Sequence, residues 1–105
     1  MIPDTEFEFC LPKGLIDSNG GINRQGAMRL ATGHDEIYVY KNRRIRENLA
    51  YSSLVMLSRV ITQLGTLTTL SSELLEQLFL IDFIYLQEFF TQINPSSLGL
   101  SASGE

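Results

Sequence analysis

The stretch LFLIDFIYLQEFF, residues 78–90, decides the fold. It is too apolar for a surface helix with one polar face, and too short for a bilayer span, which takes about 20 mostly apolar residues. On a helical period Leu74, Leu78, Ile81 and Tyr85 form one stripe. Leu75, Phe79, Phe83, Leu86, Phe90 and Ile93 form a second, and Leu80, Ile84 and Phe89 widen the arc. From Leu78 to Leu86 nearly the whole circumference is apolar, so such a helix must be covered almost all round. Ser71 suits an N-cap, Glu73 and Glu76 suit the positive end of the dipole, and Pro95 ends the run. A helix is therefore expected over about residues 72–93. One carboxylate, Asp82, falls inside this apolar run. Burial without a partner would cost several kcal/mol or force it neutral. Asp82 is thus expected on a narrow polar stripe or in a structural pair, with Arg59 and Arg29 as the candidate cations.

Upstream, Leu49, Leu54, Leu57, Val60, Ile61 and Leu64 follow helical spacing and stop at Gly65. They predict a first helix from about Glu47, with Asn48 available to cap a later start. Before it the period is two. Phe7, Phe9 and Leu11 alternate with Glu6, Glu8 and Cys10, and Pro12 and Gly14 are expected to stop that strand. Asp17 to Gly21 (DSNGG) supplies residues that tolerate the positive φ of a reversal. Met28, Leu30 and Thr32 alternate with Ala27, Arg29 and Ala31, which predicts a hairpin with a long glycine-rich connection. TGHDE, residues 32–36, reads as a turn in which Asp35 or Glu36 starts a helical turn. IYVY, residues 37–40, fits a third short strand or a buried connector equally. The expected class is α+β: an N-terminal hairpin packed on a C-terminal helical pair, in one domain over residues 1–94. Residues 95–105 are small and polar, and are expected to form a flexible tail.

The 105 residues carry a net charge of −4, with 44% hydrophobic and 19% charged residues, an ordinary globular balance. An acidic chain argues against nucleic acid as the main partner. Charge is uneven: Lys41, Arg43, Arg44, Arg46 and Arg59 sit in the middle, and no Lys or Arg follows Arg59. Glu73, Glu76, Asp82, Glu88 and Glu105 make the C-terminal part acidic, suited to an acidic docking surface or to steering the helices together. Cys10 is the only cysteine, which excludes an intrachain disulfide and a four-Cys zinc site. With no signal peptide apparent and no span-long helix, a cytoplasmic chain without a membrane partner is expected.

No catalytic, cofactor-binding or metal-binding residues are expected. His34, Asp35 and Glu36 are adjacent, so they diverge, and no second His or Cys stands at ligand spacing. A solvated turn with Asp35 capping a helix explains them. A Cys10–His34 nucleophile and base pair has no local signature. Asn19 to Gly21 lacks the Lys-Ser/Thr of a phosphate loop, and KNRRIRE, residues 41–47, has no interleaved aromatic platform for nucleic acid.

The helix over 72–93 remains the informative element, because one helix and a small hairpin leave part of it open. Leu80, Phe83, Ile84, Phe89 and Phe90 are the expected partner-binding residues; self-association and a simple central core helix are the other uses of such a surface. The order of features also resembles the small tail assembly chaperone-like proteins encoded with contractile phage tails and contractile injection systems. FEFCLPKGLID, NRQGAMRLATGHDEI, NLAYSSLVMLSRVITQLGTL and LLEQLFLIDFIYLQEFFTQIN carry the resemblance, over roughly residues 7–94. The most telling pieces are the MRLATGHDE turn, the LSRVITQLG helix end and the LF-x-x-D-x-x-x-L spacing. The resemblance implies a non-enzymatic assembly factor that engages the apolar helices of a tape-measure protein or a baseplate component. A permanent small subunit of the baseplate or tube is the alternative it leaves open.

Overall fold

Phe9 and Leu11 are buried while Glu6, Glu8 and Cys10 are exposed, which is what a period of two on one strand requires. These residues begin β1 (Glu6–Ile16) in a computed structural model that describes residues 6–42, 51–67 and 69–95. β1 pairs antiparallel with β2 (Ile22–Arg29), and β2 with β3 (Ile61–Leu64), in the order β1-β2-β3. The fold is α+β with an N-terminal hairpin, as expected.

Pro12 and Gly14 do not end the first strand. Cys10 pairs with Gln25 and Leu15 with Asn23, so five steps along β1 answer two along β2. The surplus is a bulge, a place where a strand tolerates a residue without an N–H and a glycine at φ 105°. Past it β1 resumes, and the connection is the tight turn Asp17 to Gly21 rather than a long loop. The Asp17 carboxylate accepts from the N–H groups of Asn19 and Gly21, and Gly20 takes the positive φ. Asn23, buried beneath the turn, donates to the Leu15 carbonyl and to Asp17, and its Oδ1 accepts from the Thr66 N–H. The Asn23 amide is the main reason that the Asp17 carboxyl lies below its ordinary range.

Residues 37–40 belong to α1 (Gly33–Lys41), against the strand preference of Ile-Tyr-Val-Tyr. A capping box decides this. The Thr32 hydroxyl accepts from the Asp35 N–H, while the Asp35 carboxylate accepts from the Thr32 N–H. The third strand exists, but as β3, where the helical spacing of the preceding segment had suggested a longer helix. α2 (Tyr51–Val60) stops as the β-branched run Val60-Ile61-Thr62 passes into β3 beside β2. The expected start near Glu47 and the cap at Asn48 lie outside the described residues, as does most of the expected tail.

The second predicted helix is two. Ser71 caps as expected, its hydroxyl accepting from the Leu74 N–H, but α3 (Ser72–Leu75) lasts one turn. α4 (Leu80–Ile93) starts anew after Phe79, which is extended at φ −63° and ψ 149°. No proline or glycine marks the break. Leu75 is buried against α2, and α4 lies along β1, so two packing directions replace one axis. One core serves all the elements: Phe9, Leu11, Leu15 and Met28 from the hairpin meet Leu57, Val60, Ile61, Leu64, Leu75 and Leu86.

Candidate interaction surface

β1 is an edge strand, and its outward N–H groups need acceptors that no neighbouring strand supplies. α4 provides them. Asp82 Oδ1 accepts from the Lys13 N–H and Oδ2 from the Gly14 N–H, each at 2.8 Å, and the Tyr85 hydroxyl accepts from the Cys10 N–H at 3.4 Å. The bulge that Pro12 and Gly14 create therefore presents two backbone donors to one carboxylate. The expected pairing of Asp82 with Arg59 or Arg29 is not made. Its side chain is 0% exposed, and backbone donors at the bulge satisfy it where a cation was expected.

Both arginines instead grip Asp35. Arg29 reaches it with two nitrogens, at 2.8 and 2.9 Å, and Arg59 with Nε at 2.8 Å. Arg29 also donates to the Arg59 carbonyl, and the Arg59 guanidinium lies 4.0 Å above the Tyr38 ring. The Arg29 hydrogen bonds hold the Asp35 carboxyl far below its ordinary range, against the opposing effect of burial, with Thr32 and Arg59 adding to the depression. The N-cap of α1 is Thr32 rather than Asp35, which stands at N3, closes the capping box, and is 1% exposed rather than solvated. The cluster ties the end of β2, the start of α1 and the end of α2 together. It is a structural joint with every group engaged.

At about 100° per residue, Asp82, Leu86, Phe89 and Ile93 fall within one narrow sector of α4, and Leu80 and Ile84 lie about 160° from it. The burial follows that wheel. Phe79, Leu80, Ile81 and Ile84 are 50%, 71%, 52% and 44% exposed. Phe83, Phe89 and Phe90 pack against the core with part of each ring accessible. The Phe89 ring stacks on Tyr85 at 6.1 Å and meets Phe9 edge-on at 5.6 Å. Of the five expected contact residues, then, Leu80 and Ile84 stand outward and the three phenylalanines hold α4 down. Phe79 and Ile81 join the exposed face, a part of the surface that no reading of the unbroken helix separates from the core. Ile16 and Ile22, paired across β1 and β2 beyond the bulge, are exposed too.

A separate open cleft of about 460 Å³ lies between α1, α2 and α4, floored by Val39, Met56, Leu57 and Phe90. Gln87 Nε2 donates to Ser53 Oγ at 3.0 Å, and both line the cleft. Glu36 and Tyr40, four residues apart on α1, are the titratable groups that line it among the described residues. His34 and Cys10 are exposed and stand on different elements. Among the described residues no group of three His, Cys, Asp or Glu side chains could hold a metal ion, and no helix is long and apolar enough to cross a membrane.

Comparison with family models, curated proteins and solved structures yields no match to this chain.

Proposed function

We propose that this chain is a non-enzymatic assembly factor of a contractile phage-tail-like particle, tail assembly chaperone-like, acting in the cytoplasm where such particles are built. In this reading it holds an apolar helix of the tape-measure protein or of a baseplate component until that helix is packed. The resemblance of the segments from FEFCLPKGLID to LLEQLFLIDFIYLQEFFTQIN supplies the system. The observation that carries the mechanism is the outward group of Phe79, just before α4, with Leu80, Ile81 and Ile84 on a helix fixed from behind. Four large apolar side chains side by side on a small domain suit capture of a second apolar helix, the groove-and-stripe mode of peptide recognition. Anchoring by Asp82 keeps the row in place before the partner arrives, so little ordering cost falls on binding.

Co-expression tests this. The tape-measure protein produced with this chain should remain soluble and co-purify with it. Ile84→Asp and Leu80→Asp should abolish both effects while leaving the chain folded. Equal solubility of the tape-measure protein with and without the chain, and no complex surviving purification, would refute the chaperone reading. Stoichiometric retention in purified particles, measured by mass spectrometry, would make the chain a permanent baseplate or tube subunit instead.

A further inference from the structure

We infer that the segment received by this surface is a basic amphipathic helix, an apolar stripe followed at its ends by Lys or Arg. The inference rests on the docking role proposed for Phe79, Leu80, Ile81 and Ile84. Leu80, Ile84 and Glu88 stand at i, i+4 and i+8, so the apolar row of α4 runs straight into an exposed carboxylate about one turn on. At the other end Glu76, also exposed, lies three residues before Phe79. Neither carboxylate has a cationic partner among the described residues, and no Lys or Arg occurs after Arg59. Asp82 does not add to this rim, because it is turned inward onto the Lys13 and Gly14 N–H groups. Lys13 is exposed and marks the bulge side as the less acidic flank.

Charge complementarity selects the occupant. A second copy meeting the same face would bring Glu88 against another Glu88 in a parallel arrangement, or bury it on the Leu80 side in an antiparallel one. An anionic lipid surface would be repelled by the same rim, since interfacial helices carry Lys and Arg beside the apolar face. A partner helix with a two-turn apolar stripe and terminal cations matches the row and both carboxylates at once.

The test uses the full chain and two synthetic helical peptides with the same Leu/Ala stripe, one ending in Lys and the other in Glu. Affinities are read by fluorescence anisotropy at about 50 mM and about 500 mM salt. The Lys peptide should bind more tightly, and the gap should narrow at high salt. Glu76→Gln and Glu88→Gln should each weaken the Lys peptide by roughly 1.4- to 5-fold, the range of exposed ion pairs. Lys13→Glu should tighten it by a similar factor. Equal binding of both peptides, with no response to these substitutions, would overturn the basic partner and leave the apolar docking surface standing. If neither peptide binds, the inference fails; the docking surface fails with it only if Ile84→Asp also leaves a co-expressed partner soluble.

Discussion

Replacing Asp82 with Asn removes a charge and almost no volume, so it isolates what the carboxylate does at the bulge. An amide has one acceptor oxygen and one donor nitrogen, and the bulge presents two donors at 2.8 Å. The oxygen will take the Gly14 N–H, which is buried, and leave the Lys13 N–H on the partly wet side. One charge-assisted bond is lost and one donor is partly orphaned, a cost of about 2 kcal/mol. Ala at the same position orphans both donors and opens space, at about 4 kcal/mol. With about 2.1 cal/mol/K per residue of unfolding entropy, 2 kcal/mol lowers Tm by about 9 °C in a chain of this length. Urea unfolding followed by far-UV circular dichroism measures the difference, with the slope checked for constancy. An Asp82→Asn change below about 0.5 kcal/mol would refute the bulge as the anchor. So would a coupling above about 1 kcal/mol between Asp82→Asn and Arg59→Gln in a double-mutant cycle, because the structure gives those residues no shared partner.

Three further outcomes follow from other parts of the fold. The Asp35 carboxyl is depressed on folding, so its stabilisation is present above the unfolded value near 3.9 and is lost as pH falls below it. Acid titration of the wild type should therefore show a slope of up to about 1.4 kcal/mol per pH unit below pH ~4 that Asp35→Asn lacks. That variant should also be about 2–4 kcal/mol less stable at pH 7, the low side for a buried pair because both arginines keep some water. Gly14→Ala would hold an L-residue at φ 105° with its Cβ 2.6 Å from Arg24 Cγ and 2.7 Å from Ile22 Cγ2, which should cost about 2–3 kcal/mol in the same urea assay. Ile84→Asp should cost about 1 kcal/mol, since about half of the side chain is covered, whereas Phe83→Asp, turned toward the core, should cost more than about 3 kcal/mol.

The alternation of Phe7, Phe9 and Leu11, the DSNGG reversal and the Ser71 cap were legible because each depends on neighbours in the chain. So was an α+β architecture. What escaped depends on partners far away. Pro12 and Gly14 are strand stops by local chemistry, and become a bulge because Asp82, 68 residues on from Gly14, accepts the donors that the bulge frees. Ile37 to Tyr40 fits a short strand or a buried connector, and the capping box of Thr32 and Asp35, backed by two arginines, makes it helix. Val60, Ile61 and Leu64 satisfy a helical period, and the β-branched run Val60-Ile61-Thr62 beside the open edge of β2 makes the last of it a strand. Arg29 and Arg59 were expected to answer Asp82, and the carboxylate that they grip is Asp35, in the turn that looked solvated. On the candidate surface, Leu80 and Ile84 separated from Phe83, Phe89 and Phe90 only once the rotation of α4 was known.

That rotation is the deeper role of Asp82. A helix apolar around most of its circumference gains nearly the same burial in several orientations about its axis, so hydrophobicity alone leaves it free to roll. A single carboxylate that must meet two fixed N–H groups removes the degeneracy, as a lone buried polar group sets register in a coiled coil. Asp82 lies in the same sector as Leu86, Phe89 and Ile93, and its seating on the bulge is what turns Leu80 and Ile84 to solvent. Asp82→Leu separates specificity from stability. The leucine recovers about 1.5–3 kcal/mol of apolar burial, so the variant should be more stable than Asp82→Ala. It should nonetheless lose the single orientation of α4, seen as multiple or broadened amide resonances for Lys13, Gly14 and residues 80–86. Its peptide affinity should fall as the outward row is shared among orientations, since apparent affinity scales with the competent fraction. A single sharp set of resonances with unchanged binding would show that packing alone orients α4, and would remove Asp82 from the account of how the surface is presented.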